Sequence, residues 1–151
     1  MIRSMFVHLL GAPEEINGGE RCPTYLYRWH IGRCRWFKAY LHHFVGEDWS
    51  RDLHDHPRRF ITVGLWGSYV EETPNGFRRY RAPWVRSFAA THTHRLSVGP
   101  SGHCWTLALV FKITREWGFW HEGTWLHWKS YVFGEHKEVA DKMKACGDSH
   151  E

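Results

Sequence analysis

The chain has 151 residues, enough for one domain with its own core, and its balance of 42% apolar and 24% charged residues excludes a disordered protein. Its 10 Trp, 9 Phe and 6 Tyr exclude a flexible linker or a coiled coil, and no apolar run approaches the roughly 18 residues of a membrane helix. The net charge of +4 is too small for a dedicated DNA-binding protein, although its arginine surplus suits an anionic small molecule. Without a secretory signal or a C-x-x-C pair, we expect a cytoplasmic protein with reduced thiols.

Short strand-like segments separated by Gly and Pro follow one another along the chain. The predicted strands, in chain order, are residues 24–31, 35–44, 60–66, 67–72, 77–81, 96–98 and 104–113. The first two form a hairpin, and residues 134–146 give the one helix signal, because apolar residues recur there at helical spacing. This pattern predicts an all-β sandwich or barrel in a single domain. The expected organisation is an N-terminal arm at 1–23, a β-barrel at 24–133 and a C-terminal helix and tail at 134–151.

Two H-x-H pairs are the most informative motifs: His54 with His56, and His92 with His94. In an extended segment, residues i and i+2 point to the same side, so each pair can direct two ring nitrogens at one point. Both pairs lie next to turns and begin strands, so a barrel could bring them together at one mouth. With 13 histidines in the chain, one such pair also arises by chance. Two pairs at comparable positions favour a metal site, with either His92 or His94 as its third ligand.

The motifs resemble those of the cupin superfamily. His54, His56 and Gly67 have the separations of the first cupin motif, with Phe60 in place of its glutamate, whereas the second motif is degenerate around His94. A narrower similarity, over residues 35–132, is to a group of short, uncharacterised cupin-like proteins of bacteria and phages. Its main elements, as they stand here, are His54-Asp-His-Pro57, Gly67-Ser-Tyr69-Val-Glu71, His94-Arg-Leu96, Cys104-Trp-Thr-Leu107, Trp117-Gly-Phe119, Trp125 and Tyr131.

The resemblance implies a small, jelly-roll-like β-barrel with one divalent metal held by His54, His56 and His94. Arg95-Leu96 matches the group and therefore favours His94 over His92, which could instead support a ligand. Without the glutamate, the ligands would be three histidines, similar to those of thiol dioxygenases among cupins. Iron(II) is the first choice, and zinc, nickel, copper and manganese remain open. The first hypothesis is thus an oxygenase acting on a small, anionic metabolite.

Two other functional hypotheses belong to different classes. One is a non-redox metal-binding cupin, a sensor or ligand-binding module with zinc or nickel. The other is a phage accessory protein whose arginine-rich face contacts nucleic acid, a partner that the modest charge disfavours. Cupins often pair through sheet edges, so a homodimer is a further expectation.

The candidate catalytic residues around this centre are Tyr40, His42, Tyr69 and Arg95. Tyr40 and His42 share one strand face with Lys38, and that face either lines the barrel or meets solvent. Glu71 has the parity of Tyr69 and is expected to be an arginine's salt-bridge partner or a distant acid/base residue. Asp55 is expected to point away from the metal, to a supporting or turn contact. The aromatic block 117–128 predicts barrel packing, with Trp120 and Trp128 as candidates for an exposed partner surface.

Overall fold

The computed structural model describes residues 10–18 and 22–144, which contain eleven strands and two short helices. The strands are β1 (Glu14–Ile16), β2 (Leu26–Arg33), β3 (Phe37–Phe44), β4 (Leu53–His54), β5 (Phe60–Thr73), β6 (Gly76–Arg81), β7 (Trp84–Phe88), β8 (Arg95–Val98), β9 (Cys104–Phe111), β10 (Gly118–His121) and β11 (Thr124–His127). The helices are α1 (Trp128–Phe133) and α2 (Lys137–Lys142). None of the described helices has the length and apolar character needed to cross a membrane.

Strand β5 joins the two walls of the fold because it changes partners halfway along its length. Its first half pairs with β7 and β9, and its second half pairs with β6 and β8. The register with β9 shifts between Gly64 and Trp66, and Gly67 follows with a φ of 81°. A Cβ at Gly67 would lie 2.2 Å from the carbonyl oxygen of His103, so a glycine is needed at this bend.

Antiparallel pairing in the order β1-β2-β3-β9-β5 builds the first wall, with β7 on the other side of β5. The second wall contains β6, β8 and the second half of β5, together with a three-stranded sheet in the order β11-β10-β4. A backbone bridge between His54 and His94 connects β4 to the residue that precedes β8. The bridge therefore draws both H-x-H pairs to one end of the second wall.

Two apolar clusters support these walls. On the face of the first wall that carries the odd-numbered residues of β3, Leu41 packs with Trp29 and Trp105, all nearly inaccessible to solvent. Near β4, the Phe119 ring of β10 stacks on Tyr131 of α1 with ring centroids 4.1 Å apart. The Tyr131 hydroxyl donates a 2.7 Å hydrogen bond to Asp52, so the helices hold the segment that enters the first H-x-H pair.

The predicted all-β fold is confirmed, as is the hairpin of 24–31 with 35–44, now β2 and β3. The segments 60–66 and 67–72 form the single strand β5, with which 77–81 pairs as β6. Strands β7, β10 and β11 were not predicted, because aromatic-rich segments with few β-branched residues lack a clear strand signal. The predicted arm contributes strand β1, which pairs with β2.

Two expectations need correction. The predicted C-terminal helix is present but shorter than 134–146: within the described part of that segment α2 is helical from Lys137 to Lys142, and α1 before it was not predicted. Gly134 ends α1, since a Cβ there would lie 2.9 Å from the Ser130 Cα. The expectation of reduced thiols is wrong for Cys22, which is disulfide-bonded, whereas Cys34 and Cys104 are free. Cys146 lies outside the described residues.

Candidate metal centre

Backbone pairing brings the two H-x-H segments side by side. The His54 amide donates to the His94 carbonyl over 2.9 Å, and the His94 amide donates to the His54 carbonyl over 3.0 Å. His56 shares the parity of His54, so both its ring and the His54 ring face the His94 ring. The ligand nitrogens of His54, His56 and His94 all lie within 4.8 Å of one another. The Nε2 atoms of His56 and His94 are 2.9 Å apart.

These three imidazoles are electrically neutral near pH 7. Burial and the neighbouring histidines lower the pKa of His54 to about 3 and hold the pKa of His56 well below its usual range. Burial also lowers the pKa of His94, although Glu71 opposes this shift. A neutral imidazole has a free lone pair, which is the form that binds a metal. Three convergent neutral nitrogens therefore fit a divalent ion of the kind that imidazole ligands suit.

Glu71 fixes the orientation of the His94 ring. The His94 Nδ1–H donates to Glu71 Oε1 over 2.7 Å, which leaves Nε2 to face His56. The Glu71 carboxylate also accepts a 2.8 Å hydrogen bond from His92 and pairs with Arg86 at 2.8 Å. Glu71 is 1% exposed, and these hydrogen bonds hold its pKa below the usual range despite the opposing effect of burial. Such a carboxylate–histidine contact fixes the tautomer of a ligand and raises its basicity.

His92 belongs to a second cluster, with Glu71 and His94. In that cluster the facing atoms already hydrogen-bond to one another, and Arg86 neutralises the second carboxylate oxygen. Because Glu71 bonds to both His92 and His94, His92 is interpreted as a residue that supports the ligand His94 through Glu71. The expectation that Glu71 pairs with an arginine is confirmed, but sequence reasoning missed its contact with His94.

A cavity of about 410 Å³ lies between the walls, and the three histidines form part of its lining. Tyr40 and His42 also line it, whereas Lys38 on the same strand face is exposed to solvent. Tyr69 lines the cavity as well, and its hydroxyl accepts a 2.6 Å hydrogen bond from Arg86. Three of the four candidate catalytic residues thus face the same space as the histidines.

Arg95 does not line the cavity. Strand β8 places it opposite Glu72 in the register with β5, and its Nε donates a 2.5 Å hydrogen bond to that carboxylate. Adjacent residues on a strand point to opposite faces, so an inward His94 requires an outward Arg95. We therefore correct the interpretation of Arg95 as a catalytic residue.

Arg28 is a cavity residue that sequence reasoning missed. Its Nε donates a 3.1 Å hydrogen bond to His42 Nε2, and its guanidinium group lies 5.2 Å from the centre of the Tyr40 ring. Burial and the Arg28 charge hold the pKa of His42 well below its usual range, so His42 is a neutral acceptor. Glu14 lies 3.6 Å from Arg28 but is half exposed, so it compensates the charge weakly.

Asp48 is a second missed residue, and it lines the cavity beside His54. Its Oδ2 accepts a 2.7 Å hydrogen bond from the Leu96 amide and lies 3.9 Å from His54 Nδ1. Burial raises the pKa of Asp48 to about 7, against the lowering effect of that hydrogen bond. No sequence motif indicates Asp48, because it lies in a loop and contacts His54 only through tertiary packing.

Asp55 points away from the three histidines, as expected, and anchors the aromatic block. Its carboxylate accepts hydrogen bonds from the Gly118 amide and the Trp125 indole and pairs with Arg115 at 2.8 Å. Trp117 from this block lines the cavity and stacks on Trp128, which is half-buried. Trp120 is 41% exposed, which agrees with the expectation that it lies at the surface.

Comparisons with known proteins concern the fold. No protein family's sequence profile matches the chain, and none of the curated proteins compared does. A sugar phosphate isomerase of the cupin superfamily from Silicibacter pomeroyi matches with a TM-score of 0.53 and 14% identity, over 63% of this chain and 65% of that chain. A cupin domain from Bordetella pertussis matches with a TM-score of 0.46 and 15% identity, over 58% and 93% of the two chains. A Klebsiella pneumoniae protein with a double-stranded β-helix domain matches with a TM-score of 0.48 and 13% identity, over 61% and 81%.

The matched part of this chain thus spans less than two thirds of the isomerase chain. At 14% identity, the match to the isomerase shows a shared fold and no more. The described residues form mainly antiparallel β-structure, which agrees with that fold. The protein therefore has a cupin fold.

Proposed function

We propose that this protein is a metal-dependent cupin in which His54, His56 and His94 hold one divalent ion, and that it acts on a small anionic metabolite. The convergence of three neutral ring nitrogens in the wall of a cavity carries the proposal. A cavity of about 410 Å³ is of the size that proteins use for small-molecule ligands. Arg86 and Arg95 are paired with Glu71 and Glu72, so they provide no free basic stripe for nucleic acid.

Oxygenase chemistry with iron(II) is the first reaction class. When bound, an ion with three neutral ligands retains its full charge and supplies Lewis acidity or, as iron(II), redox chemistry with dioxygen. The protein's own contribution is to orient the ligands through Glu71 and to exclude bulk water with the aromatic walls of the cavity. His92 acts through Glu71 rather than on the ion.

Arg28 is the residue that supports an anionic substrate. Its charge faces the cavity, and His42 and Tyr40 hold the guanidinium group in place. A guanidinium group binds a carboxylate or phosphate through paired hydrogen bonds. We assign Tyr40 and His42 the role of positioning Arg28, and Tyr69 that of a neutral hydroxyl in the cavity wall, since burial raises its pKa.

A non-redox reaction is the second candidate, and Asp48 favours it. A carboxyl group inside the cavity beside His54 can transfer a proton to or from a substrate that the ion polarises. The sugar phosphate isomerase with the same fold indicates that this scaffold also hosts non-redox reactions on anionic substrates. Zinc or nickel would serve this chemistry as well as iron.

Metal analysis of the full chain, followed by dioxygen-uptake assays, tests the proposal and separates the two reaction classes. We expect close to one divalent ion per chain, retained in His92→Ala and lost in His94→Ala. Uptake by iron-loaded protein with a thiol, phenol or keto-acid substrate identifies an oxygenase. Catalytic turnover without uptake, abolished in Asp48→Asn, identifies the non-redox class.

The proposal fails if the purified chain binds no iron, zinc, nickel, copper or manganese at micromolar concentration. It also fails if His94→Ala retains the metal while His92→Ala loses it, because the ligand set would then be different.

A further inference from the structure

We infer that the part of the cavity around Gly64 recognises an uncharged oxygen, a hydroxyl or a carbonyl, on the substrate. This inference rests on the proposed function, since it assigns a chemical group to the ligand of the same cavity. Three buried polar atoms carry it: Thr62 Oγ1, Thr106 Oγ1 and Trp84 Nε1 have no hydrogen-bond partner among the described residues. All three residues line the cavity.

Gly64 is the point around which these residues gather. Thr62 lies two positions before it on β5, Thr106 faces it from β9, and Trp84 faces it from β7. A Cβ on Gly64 would lie 2.2 Å from Trp84 Cε2 and 2.4 Å from Trp84 Nε1. The indole ring of Trp84 therefore lies directly over Gly64. A glycine is required here because the indole occupies the space of a side chain.

Stability alone gives no reason for this polar set. A buried donor or acceptor without a partner destabilises a fold, and valine would fill the space of either threonine without that cost. Thr62 is 9% exposed and Thr106 is 2% exposed, so bulk solvent does not satisfy their hydroxyls. Three such groups at one place indicate that a ligand supplies the missing partner.

The types of group define the chemistry of that partner. An indole N–H can only donate, so the ligand must present an acceptor, while threonine hydroxyls both donate and accept. The neighbouring charges are already paired, because Arg86 bonds to the Tyr69 hydroxyl and to the Glu71 carboxylate. Among the described residues, the cation opposite Thr62 is Arg86, and because its partners already engage it, a hydroxyl or carbonyl oxygen is favoured here over a carboxylate.

Matched pairs of small acids test this assignment in the full chain loaded with cobalt(II). The probes are straight-chain carboxylic acids of three to six carbons and their ω-hydroxy derivatives, and binding is measured by calorimetry. The variants are Thr106→Val, Thr62→Val and Trp84→Phe. Thr24→Val is the control, since the Thr24 hydroxyl bonds to exposed Glu15 elsewhere.

We expect the wild-type protein to bind the hydroxylated member of at least one pair about fivefold or more tightly than its parent. Thr106→Val and Trp84→Phe should bring this ratio close to one without weakening the parent acid, and Thr24→Val should leave the ratio unchanged. The valine variants should unfold at the same or a higher temperature, because a polar group without a partner is removed. A structural role would lower the unfolding temperature and leave the ratio intact.

The inference is overturned if no hydroxylated acid binds more tightly than its parent, or if the preference survives in both Thr106→Val and Trp84→Phe. Cobalt absorption of the loaded protein is recorded in the same samples. Failure to bind cobalt is a failure of the proposed metal site, whereas cobalt binding without hydroxyl preference is a failure of this inference alone.

Discussion

Histidines have two different roles in this molecule, depending on whether they face the cavity or the opposite face of the first wall. His42 and His43 are consecutive on β3, yet His42 lines the cavity and bonds to Arg28, whereas His43 lies on the opposite face. There the His43 ring stacks on Trp105, with centroids 4.0 Å apart and planes 9° from parallel. Inside the barrel, by contrast, His56 and His94 direct their ring nitrogens at each other, 2.9 Å apart.

The comparison shows that strand parity, rather than the number of histidines, decides where a metal can bind. A stacked imidazole offers its flat face to its neighbour and contributes to packing. A convergent set offers lone pairs to a common point, and burial keeps these imidazoles neutral. The H-x-H pattern produces convergence, whereas the H-H pattern at 42–43 separates its two rings.

The largest expected effect comes from breaking the convergent group. His56→Ala should reduce the affinity for zinc or cobalt by more than about 100-fold. Removing a metal ligand weakens binding more than removing a residue that hydrogen-bonds to a ligand. His43→Ala, the matched variant from the stacked group, should bind metal like the wild type while unfolding more readily. Competition with a chelator measures the affinity. Equal losses of affinity in the two variants would contradict the division between the faces.

A smaller effect is expected from the carboxylate behind His94. Glu71→Gln should weaken metal binding by about 10- to 100-fold, because the amide holds the His94 tautomer less firmly than a carboxylate does. Glu72→Gln is the control, as this neighbouring residue pairs with Arg95 on the other face of β5. The same chelator competition applies, and an unchanged affinity in Glu71→Gln would remove Glu71 from the site.

The sequence predicts the H-x-H pairs and their parity because these depend on local geometry alone. It also predicts the hairpins, since turn residues and alternating polarity are local signals. The contact of Glu71 with His94 depends instead on the bend of β5 at Gly67, which moves the second half of that strand into the other wall. A bulge changes which residues face inward beyond it, and no spacing rule indicates its presence in advance.

Asp48 and Arg28 are two further residues of the cavity that no sequence pattern predicts. Both lie in segments without a motif, and they enter the cavity because β2 and the loop before β4 meet the histidines in space. Arg95 illustrates the opposite error, since proximity in sequence to His94 suggested a shared site. Parity could have excluded it, because consecutive strand residues face opposite sides.

The pH dependence of the free energy of unfolding, measured on the metal-free protein, tests whether the convergent histidines are neutral in the folded state. His42, His54, His56 and His94 all have lowered pKa values in the folded state. As the pH falls below about 6.5, these histidines take up protons in the unfolded chain but stay neutral in the folded one, so acid destabilises the fold. Asp48 acts in the opposite direction, because its pKa of about 7 lets the folded state take up a proton first.

The four histidines outweigh the single carboxyl, so we expect a net loss of roughly 1–2 kcal/mol between pH 7 and pH 6. Urea unfolding in the presence of a chelator measures it. If the free energy of unfolding stays constant or rises as the pH falls from 7 to 6, the convergent histidines are already charged in the folded protein.

The smallest effect is expected from Arg95, which contrasts with Arg86. Both arginines pair with consecutive glutamates on β5, but Arg86 contacts the nearly inaccessible Glu71, whereas the Arg95–Glu72 pair is partly exposed. An exposed ion pair contributes less than about 1 kcal/mol, so Arg95→Gln should change the free energy of unfolding by no more than that. It should also leave metal affinity unchanged, whereas Arg86→Gln should lower both stability and affinity by releasing Glu71 from one of its three partners. Urea unfolding and chelator competition on the two variants make the comparison, and a loss of metal affinity in Arg95→Gln would restore this residue to the site.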